Sequence, residues 1–546
     1  MKPSSTEHET SHHKMYNIMS YGSIFMVGAF VLFSILNVEL SNNIANGINL
    51  WIQTNMSWYY IAVVCFVLFF SIWVAFSRYG NIRLGKDDEK PEFGFTTWFS
   101  MLFSCAIGTG LLFWSIAEPI TYLQGNPFLD MEQIQPDTLE AARVALRITM
   151  FHWGLHGWAV YILVGLCLAY FCYRRGLPLT VRSGLYPLLG DRIYGPIGHA
   201  VDFLAIFSTL FGTATTLGLG VSQMNAGLNY LFGIEISSTS QVILIVIVSI
   251  IATISAISGV GRGIRILSIW NIRLSVLVIA FFVLAGPTVF LLKMTVSGLG
   301  DYFSNFIPMG FWVDTDPNRQ WQSWWTMFYW GWWLSWGPLV GMFIARISRG
   351  RTIRQFLLTA LVIPPLGGFI WIIVFGGTAL HIQVLGDGSL ASVVNDNMTL
   401  ALYSTIEAIN VPSLTNLVAG LTTFLIVTWF VTSADSGTLV ICTIISLGDK
   451  NPPRLLRVVW GLGLGAVSAI LLIAGGLDSL KTASIIAALP FSVVLLFMCW
   501  ALVKGLRDEA NGICYNQQDL AGGEPKNSGH QYKPNSVSSN EATALN

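Results

Sequence analysis

Charge is scarce in this sequence. Asp, Glu, Lys and Arg together make up 11% of its 546 residues, against 53% hydrophobic. That balance lies far outside the soluble range and specifies a polytopic membrane protein. Neither sign of charge is in excess, with 29 basic and 29 acidic residues, so nothing electrostatic draws the chain to nucleic acid or to an acidic partner. Cysteine is limited to seven residues. Cys65, Cys105, Cys167, Cys172, Cys442 and Cys499 fall in apolar segments and only Cys514 in a polar tail. None has metal or redox spacing, and they read as buried inert thiols. The first fifteen residues are polar and lead into an apolar run without a small-residue cleavage site, so no removed signal peptide is read.

Apolar runs, by contrast, are plentiful. Twelve are long enough to span a bilayer as helices, near 17–38, 58–76, 96–116, 147–172, 198–220, 241–258, 266–291, 321–346, 356–377, 413–433, 456–475 and 482–503. Basic residues gather on alternate loops: Arg78, Arg83, Lys86 and Lys90; Arg174, Arg175 and Arg182; Arg262 and Arg265; Arg346, Arg349, Arg351 and Arg354; Lys450, Arg454 and Arg457. The intervening loops are acidic or neutral, with Glu118, Asp130, Glu132 and Asp137 in one and Asp387, Asp396 and Glu407 in another. The positive-inside rule then places both termini in the cytoplasm, as an even number of spans requires. The segments 1–15 and 505–546 are expected to be disordered, and the latter is no polybasic lipid sensor. The arginine-rich loop 346–354 reads as a topology anchor.

Aromatic residues are concentrated in Trp325 to Trp336, WTMFYWGWWLSW, where six of twelve residues are Trp or Tyr. Trp325, Tyr329, Trp332 and Trp336 share a helical stripe with Trp333 beside it. Such a stripe either holds a cation on its ring faces or forms an interface belt or packing face. In the fourth run Trp153, Trp158 and Tyr161 fall within one sector and offer a second wall. His152 and His156, spaced i, i+4, have no acidic partner near in sequence and read as structural histidines.

Two stretches can interrupt their helices: Ala106-Ile107-Gly108-Thr109-Gly110 in the third run, and Gly331, Gly337 and Pro338 in the eighth. Close helix packing is the alternative. Each is followed by a hydroxyl-rich stretch. Thr209, Thr213, Thr215 and Thr216 come 105 residues after the first break, measured from Gly108 to Thr213, and Thr432, Ser433 and Ser436 come 96 after the second, from Gly337 to Ser433. Two similar halves would produce this, and hydroxyls with freed carbonyls are oxygen ligands suited to Na⁺. A hydroxyl bonding back to its own helix is the alternative.

The segments GNIRLGKDDEKPEF (80–93), GTGLLFWSIAEP (108–119), HWGLHGWAVY (152–161), FGTATTLGLG (211–220), YWGWWLSWGPLVGMFIARISRGRTIRQF (329–356) and FVTSADSG (430–437) together resemble the betaine/choline/carnitine transporter family. The similarity runs from about Tyr16 to Lys504. It implies an all-α membrane fold of twelve transmembrane helices: a two-helix extension (16–95), two inverted five-helix repeats (96–291 and 321–504) joined by an extracellular connector (292–320), and a homotrimer in contact with membrane lipid. It also implies alternating access for onium substrates in a bacterial-type cytoplasmic (inner) membrane, with no cofactor, no enzymatic activity and Na⁺ as coupling ion. By motif position, Trp153, Trp158, Tyr161 and Trp333 correspond to the central aromatic box, and Trp332 and Trp336 to residues along the route. The amides of Ala106, Ile107, Gly108, Thr109 and Gly110 would face a substrate carboxylate. Thr432 and Ser433, with carbonyls around Ser104, Ile107 and Trp429, correspond to one sodium position; Thr209 and Thr213 correspond to a second.

Two departures stand out. Ala106 replaces the first glycine of the family's Gly-x-Gly-x-Gly, which leaves the exact substrate open. Arg273 lies eight residues, about 12 Å, into the seventh run from Arg265. It either substitutes for the ion, as a cationic side chain does in sodium-independent members, or snorkels to the cytoplasmic face. The expected function is Na⁺-coupled uptake of a compatible solute such as glycine betaine, choline or carnitine. The alternatives are ion-independent exchange of carnitine-like substrates, proton-coupled choline uptake, and a non-transporting membrane sensor.

Overall fold

The computed structural model describes residues 5–105, 108–258, 263–316 and 319–512, without the side chains of 5–12, 104, 105, 109, 258, 263–266 and 268. Helices lie at each of the apolar runs, and the described residues contain no strand beyond an isolated bridge between Arg83 and Thr352. α1 (Ser5–Leu36) and α2 (Val38–Phe76) are followed by α3 (Phe95–Cys105) and α4 (Thr109–Gln124). Next come α5 (Leu139–Trp153), α6 (Leu155–Ala169), α7 (Pro196–Phe232), α8 (Ser238–Ser258), α9 (Gly263–Ala285) and α10 (Thr288–Ser304). The last four long helices are α11 (Thr326–Ile347), α12 (Ile353–Leu385), α13 (Pro412–Ile445) and α14 (Arg454–Ala510).

Among the described residues eight helical stretches are long and apolar enough to cross a membrane, or nine if a bent pair counts as one. The difference from twelve has identifiable sources. α3 and α4 are only 11 and 16 residues long, and Trp and Tyr lower the apparent hydropathy of α11. α14 is a single 57-residue stretch that departs from helical geometry at Gly475 and Gly476. Gly476, at φ 63°, adopts a conformation that side-chain-bearing residues rarely reach, which divides α14 into two arms.

Three local readings of the sequence are corrected. The fourth run is not one helix, because α5 ends at Trp153 and α6 begins at Leu155. At the break, the Leu155 N–H donates to the hydroxyl of Tyr302 at 3.3 Å, and a Cβ on Gly154 would lie 2.6 Å from that oxygen. The seventh run stops at Ala285, where Gly286-Pro287 turns the chain through 106° into α10; proline has no N–H to continue the ladder. The supposed connector 292–320 is therefore largely helical at its start. Finally, Gly331, Gly337 and Pro338 do not interrupt the eighth run, since α11 is continuous across them. Gly331 lets α11 approach Ile485 of α14, where a Cβ would come within 3.0 Å of its Cα, so close packing is what the glycine provides.

The loop after α11 is docked as well as charged. Gly350 N–H donates to Leu84 O, Leu84 N–H to Arg351 O and Ile353 N–H to Ile82 O. Gly350 sits at φ 80°, where a Cβ would lie 2.5 Å from Lys90 O. Arg351 stacks 4.5 Å over Trp98, and Arg349 pairs with Glu89. Burial alone would push the Glu89 carboxyl up, but the Lys86 backbone N–H and the Arg349 guanidinium outweigh it and hold it below the usual carboxylate range.

Candidate functional site

α11 packs against α6, α7 and α14, and this brings the two aromatic walls together. Trp332 and Trp333 stack at 4.9 Å and 17°. Trp153, the last residue of α5, stands edge-on to Trp333 at 4.9 Å and to Trp332 at 6.0 Å. Tyr161 meets Trp333 at 6.0 Å, and Trp158 meets Tyr161 at 5.3 Å, both near perpendicular. Trp336 lies one turn on, 6.3 Å from Trp332, against Gly212 of α7. Trp158, Tyr161, Trp332 and Trp333 are buried, and Trp153 and Trp336 half-buried.

The α5–α6 break serves this cluster. The last carbonyls of α5 have no intrahelical partner, and Trp333 Nε1 donates to His152 O at 2.8 Å. Gly157 makes room for that indole, since a Cβ there would stand 2.6 Å from Cδ1 and Nε1 of Trp333. Trp332 Nε1 donates to Thr216 Oγ1 of α7 at 3.2 Å, which engages the hydroxyl-rich stretch.

Glu118, read from sequence as part of an acidic loop, lies inside α4 and is fully buried. Its Oε1 is 2.7 Å from His152 Nδ1. Its Oε2 accepts from Trp153 Nε1 at 3.0 Å and from the Tyr329 hydroxyl at 2.6 Å. His152 Nε2 is 3.1 Å from Thr326 Oγ1, and the imidazole stacks on Tyr329 at 4.6 Å. His152 thus has the acidic partner that its sequence neighbourhood lacked. His156 packs instead between Phe306 and Phe151. No cluster of metal ligands occurs among the described residues.

Of the interrupted third helix, Ala106 and Ile107 lie outside the described residues, as do the side chains of Ser104 and Thr109. Gly108 is the extended N-cap of α4, so the first amides of that helix have no intrahelical acceptor. Gly110 is pressed between the two walls: a Cβ would come 2.5 Å from Cη2 of Trp332 and 3.4 Å from Cη2 of Trp153. The α4 N-terminus therefore opens beside the aromatic cluster.

The residues expected to form ion sites divide. Thr209 donates to Ala205 O and Thr432 to Trp429 O, both back to their own helices. Thr213 Oγ1 is buried and has no hydrogen-bond partner, facing Gly437 of α13. Ser433 is half-buried and Trp429 buried. Arg273 does not reach this region: it is exposed, with its guanidinium 5.5 Å over Trp270. The residue of α9 that does reach it is Asn271, whose Nδ2 donates to Thr432 Oγ1 at 3.4 Å and whose buried Oδ1 has no partner. The side chain of Arg273 thus points away from Thr432, about 200° around the helix from Asn271.

Residues 18–511 match the sequence profile of the betaine/carnitine/choline family transporters. A probable glycine betaine transporter of Desulfitobacterium hafniense is 40% identical over 499 residues, covering 91% of this chain and 98% of the relative. A glycine betaine transporter of Bacillus subtilis is 42% identical over 493 residues, covering 90% and 94%. A high-affinity choline transport protein of Escherichia coli is 40% identical over 508 residues, covering 92% and 74%. Family and relatives alike are transporters of small onium solutes rather than enzymes. With two aromatic walls joined at the end of a broken helix, and this likeness along nearly its whole length, the chain belongs to the betaine/carnitine/choline transporter family.

Proposed function

We propose that this protein takes up a quaternary-ammonium compatible solute, glycine betaine or a close relative, by Na⁺-coupled alternating access. The observation that carries the reading is the convergence of Trp153, Trp158, Tyr161 and Trp333 beside the N-terminus of α4. Aromatic faces attract a trimethylammonium group by about 1–2 kcal/mol per ring when desolvated, and free helix N-terminal amides suit a carboxylate. Sodium coupling is supported by the unpartnered oxygens of Thr213, beside Gly437, and of Asn271, beside Thr432, and by the exposed position of Arg273. The twelve-helix arrangement of a two-helix extension and two inverted repeats is part of the same reading, as are both termini in the cytoplasm of a bacterial-type cell. The exposed aromatic face of α2, with Phe66, Phe69 and Trp73, suits contact with lipid or with other copies in a homotrimer. Proteoliposomes provide the test. An inward sodium gradient should drive labelled betaine above equilibrium, and Trp333→Ala should weaken this uptake at low betaine concentration. Flux to equilibrium only, with the gradient imposed, would sink the coupled reading.

A further inference from the structure

A second group of aromatic rings lies next to the central cluster and already contains a cation. The ammonium of Lys481 is 5.2 Å from the ring of Trp114, 5.7 Å from Trp325 and 5.2 Å from Phe328. The three rings come from α4, from the residue just before α11, and from α11 itself, and all are buried. Lys481 arrives from α14, five residues after the Gly476 divide. No hydrogen bond or carboxylate within ion-pair distance is found for its ammonium among the described residues. Asp478, three residues earlier on the same helix, lies beyond that distance and acts on the ammonium only as a more distant opposite charge. The oxygens of Glu118 are taken by His152, Trp153 and Tyr329.

The two aromatic groups are continuous. Trp114 is 6.2 Å from Tyr329, and Phe328 stacks on Trp332 at 5.4 Å. Along α11, seven or eight residues separate Trp325 from Trp332 and Trp333, which is about 11 Å of helix. A substrate cation in the central cluster therefore sits about 10 Å from a fixed positive charge. At an effective dielectric of about 20, like unit charges at that distance lose about tenfold in affinity. A zwitterion largely escapes this, because its carboxylate offsets its own onium charge.

Resting on the onium-transport reading, we propose that Lys481 is a specificity-determining residue: held in the Trp114, Trp325 and Phe328 cage, it favours zwitterionic onium solutes over onium compounds that lack a carboxylate. It acts through charge at a distance and as the built-in occupant that keeps free cations out of the cage.

The experiment uses the full chain in proteoliposomes, comparing wild type with K481Q, K481M and K481R. Competition of unlabelled betaine and unlabelled choline against labelled betaine gives a preference ratio. K481Q and K481M should narrow that ratio about tenfold in favour of choline, and K481R should retain it. A ratio unchanged within about twofold in the neutral variants overturns the proposal. If the wild type carries neither solute, the transport reading fails separately. Calorimetric titration of the detergent-solubilised protein with tetramethylammonium then decides about Lys481. K481Q should bind it about tenfold more tightly than wild type, and equal affinity overturns the proposal.

Discussion

Glu118 and His152 face each other at 2.7 Å with both side chains fully withdrawn from solvent. One belongs to the helix that opens beside the aromatic cluster, the other to the helix that ends in Trp153, so the pair fastens two walls of the site. Removing one partner of such a pair leaves an uncompensated buried group and typically costs about 3–5 kcal/mol. His152→Ala should therefore lower the thermal midpoint of the detergent-solubilised protein markedly. Glu118→Gln, which keeps shape and an acceptor, should lower it less. Equal midpoints for wild type and His152→Ala would remove the pair from the stability account.

In the proposed box Trp333 contributes ring face, and its loss should appear as weakened substrate binding. Trp333→Ala should raise the KM for betaine at least about tenfold, the equivalent of one desolvated cation–π contact. Trp333→Phe should fall between, since it keeps a face but loses the bond to His152 O. Uptake kinetics on both variants read this directly.

Gly157 and Gly110 should tolerate no side chain. A methyl on either would stand 2.5–2.6 Å from an indole, and overpacking of this kind costs about 1–3 kcal/mol. Gly157→Ala and Gly110→Ala should express and assemble yet transport poorly, because Trp333 or Trp332 must move. Wild-type uptake rates in either variant would contradict the tight geometry.

Ion dependence should follow Asn271 rather than Arg273. Asn271→Ala and Thr213→Ala should raise the sodium concentration for half-maximal uptake severalfold, and Arg273→Gln should leave it unchanged. A loss of sodium dependence in Arg273→Gln would restore the role that its exposed position denies it.

The docked loop between α2 and α3 gives a pH signature. The Glu89 carboxyl titrates lower in the folded chain than the ordinary value of about 4.3. Its stabilising contribution is thus fully present above that value and is lost as pH falls through the folded one. Melting curves of wild type and Glu89→Gln should differ slightly at about pH 6 and converge near pH 3.

Part of the candidate site was legible in the sequence. Trp153, Trp158 and Tyr161 could be grouped by helical angle, although the break at Gly154 puts Trp153 on α5 and the other two on α6, and Trp333 joined them by motif. Glu118 and His152 could not, because they lie 34 residues apart on different helices and no periodicity links them. Gly154 resembled any small residue in an apolar run until Tyr302 of α10 was seen to fill its break. Gly331, Gly337 and Pro338 had the residue types of an interruption, but α14 uses the small residues for contact. Arg273 and Asn271 are two residues, about 200°, apart on one helix, and only the position of α13 decides which of them faces the threonines.

Three indoles of the aromatic cluster have their N–H groups committed to other parts of the protein. Trp153 gives its proton to Glu118, Trp332 to Thr216 and Trp333 to His152 O. With those protons bound elsewhere, the three rings offer a guest π-density, and an indole, whose nitrogen lone pair belongs to its π-system, offers no acceptor in any orientation. A primary ammonium would give up several hydrogen bonds to water on entering and find no acceptor among them, a loss that its charge on the ring faces must overcome. A trimethylammonium has no such bonds to forfeit. In the proposed box, a preference for methylated over unmethylated amines would thus follow from walls that supply no acceptor, before any contact with the methyl groups is made.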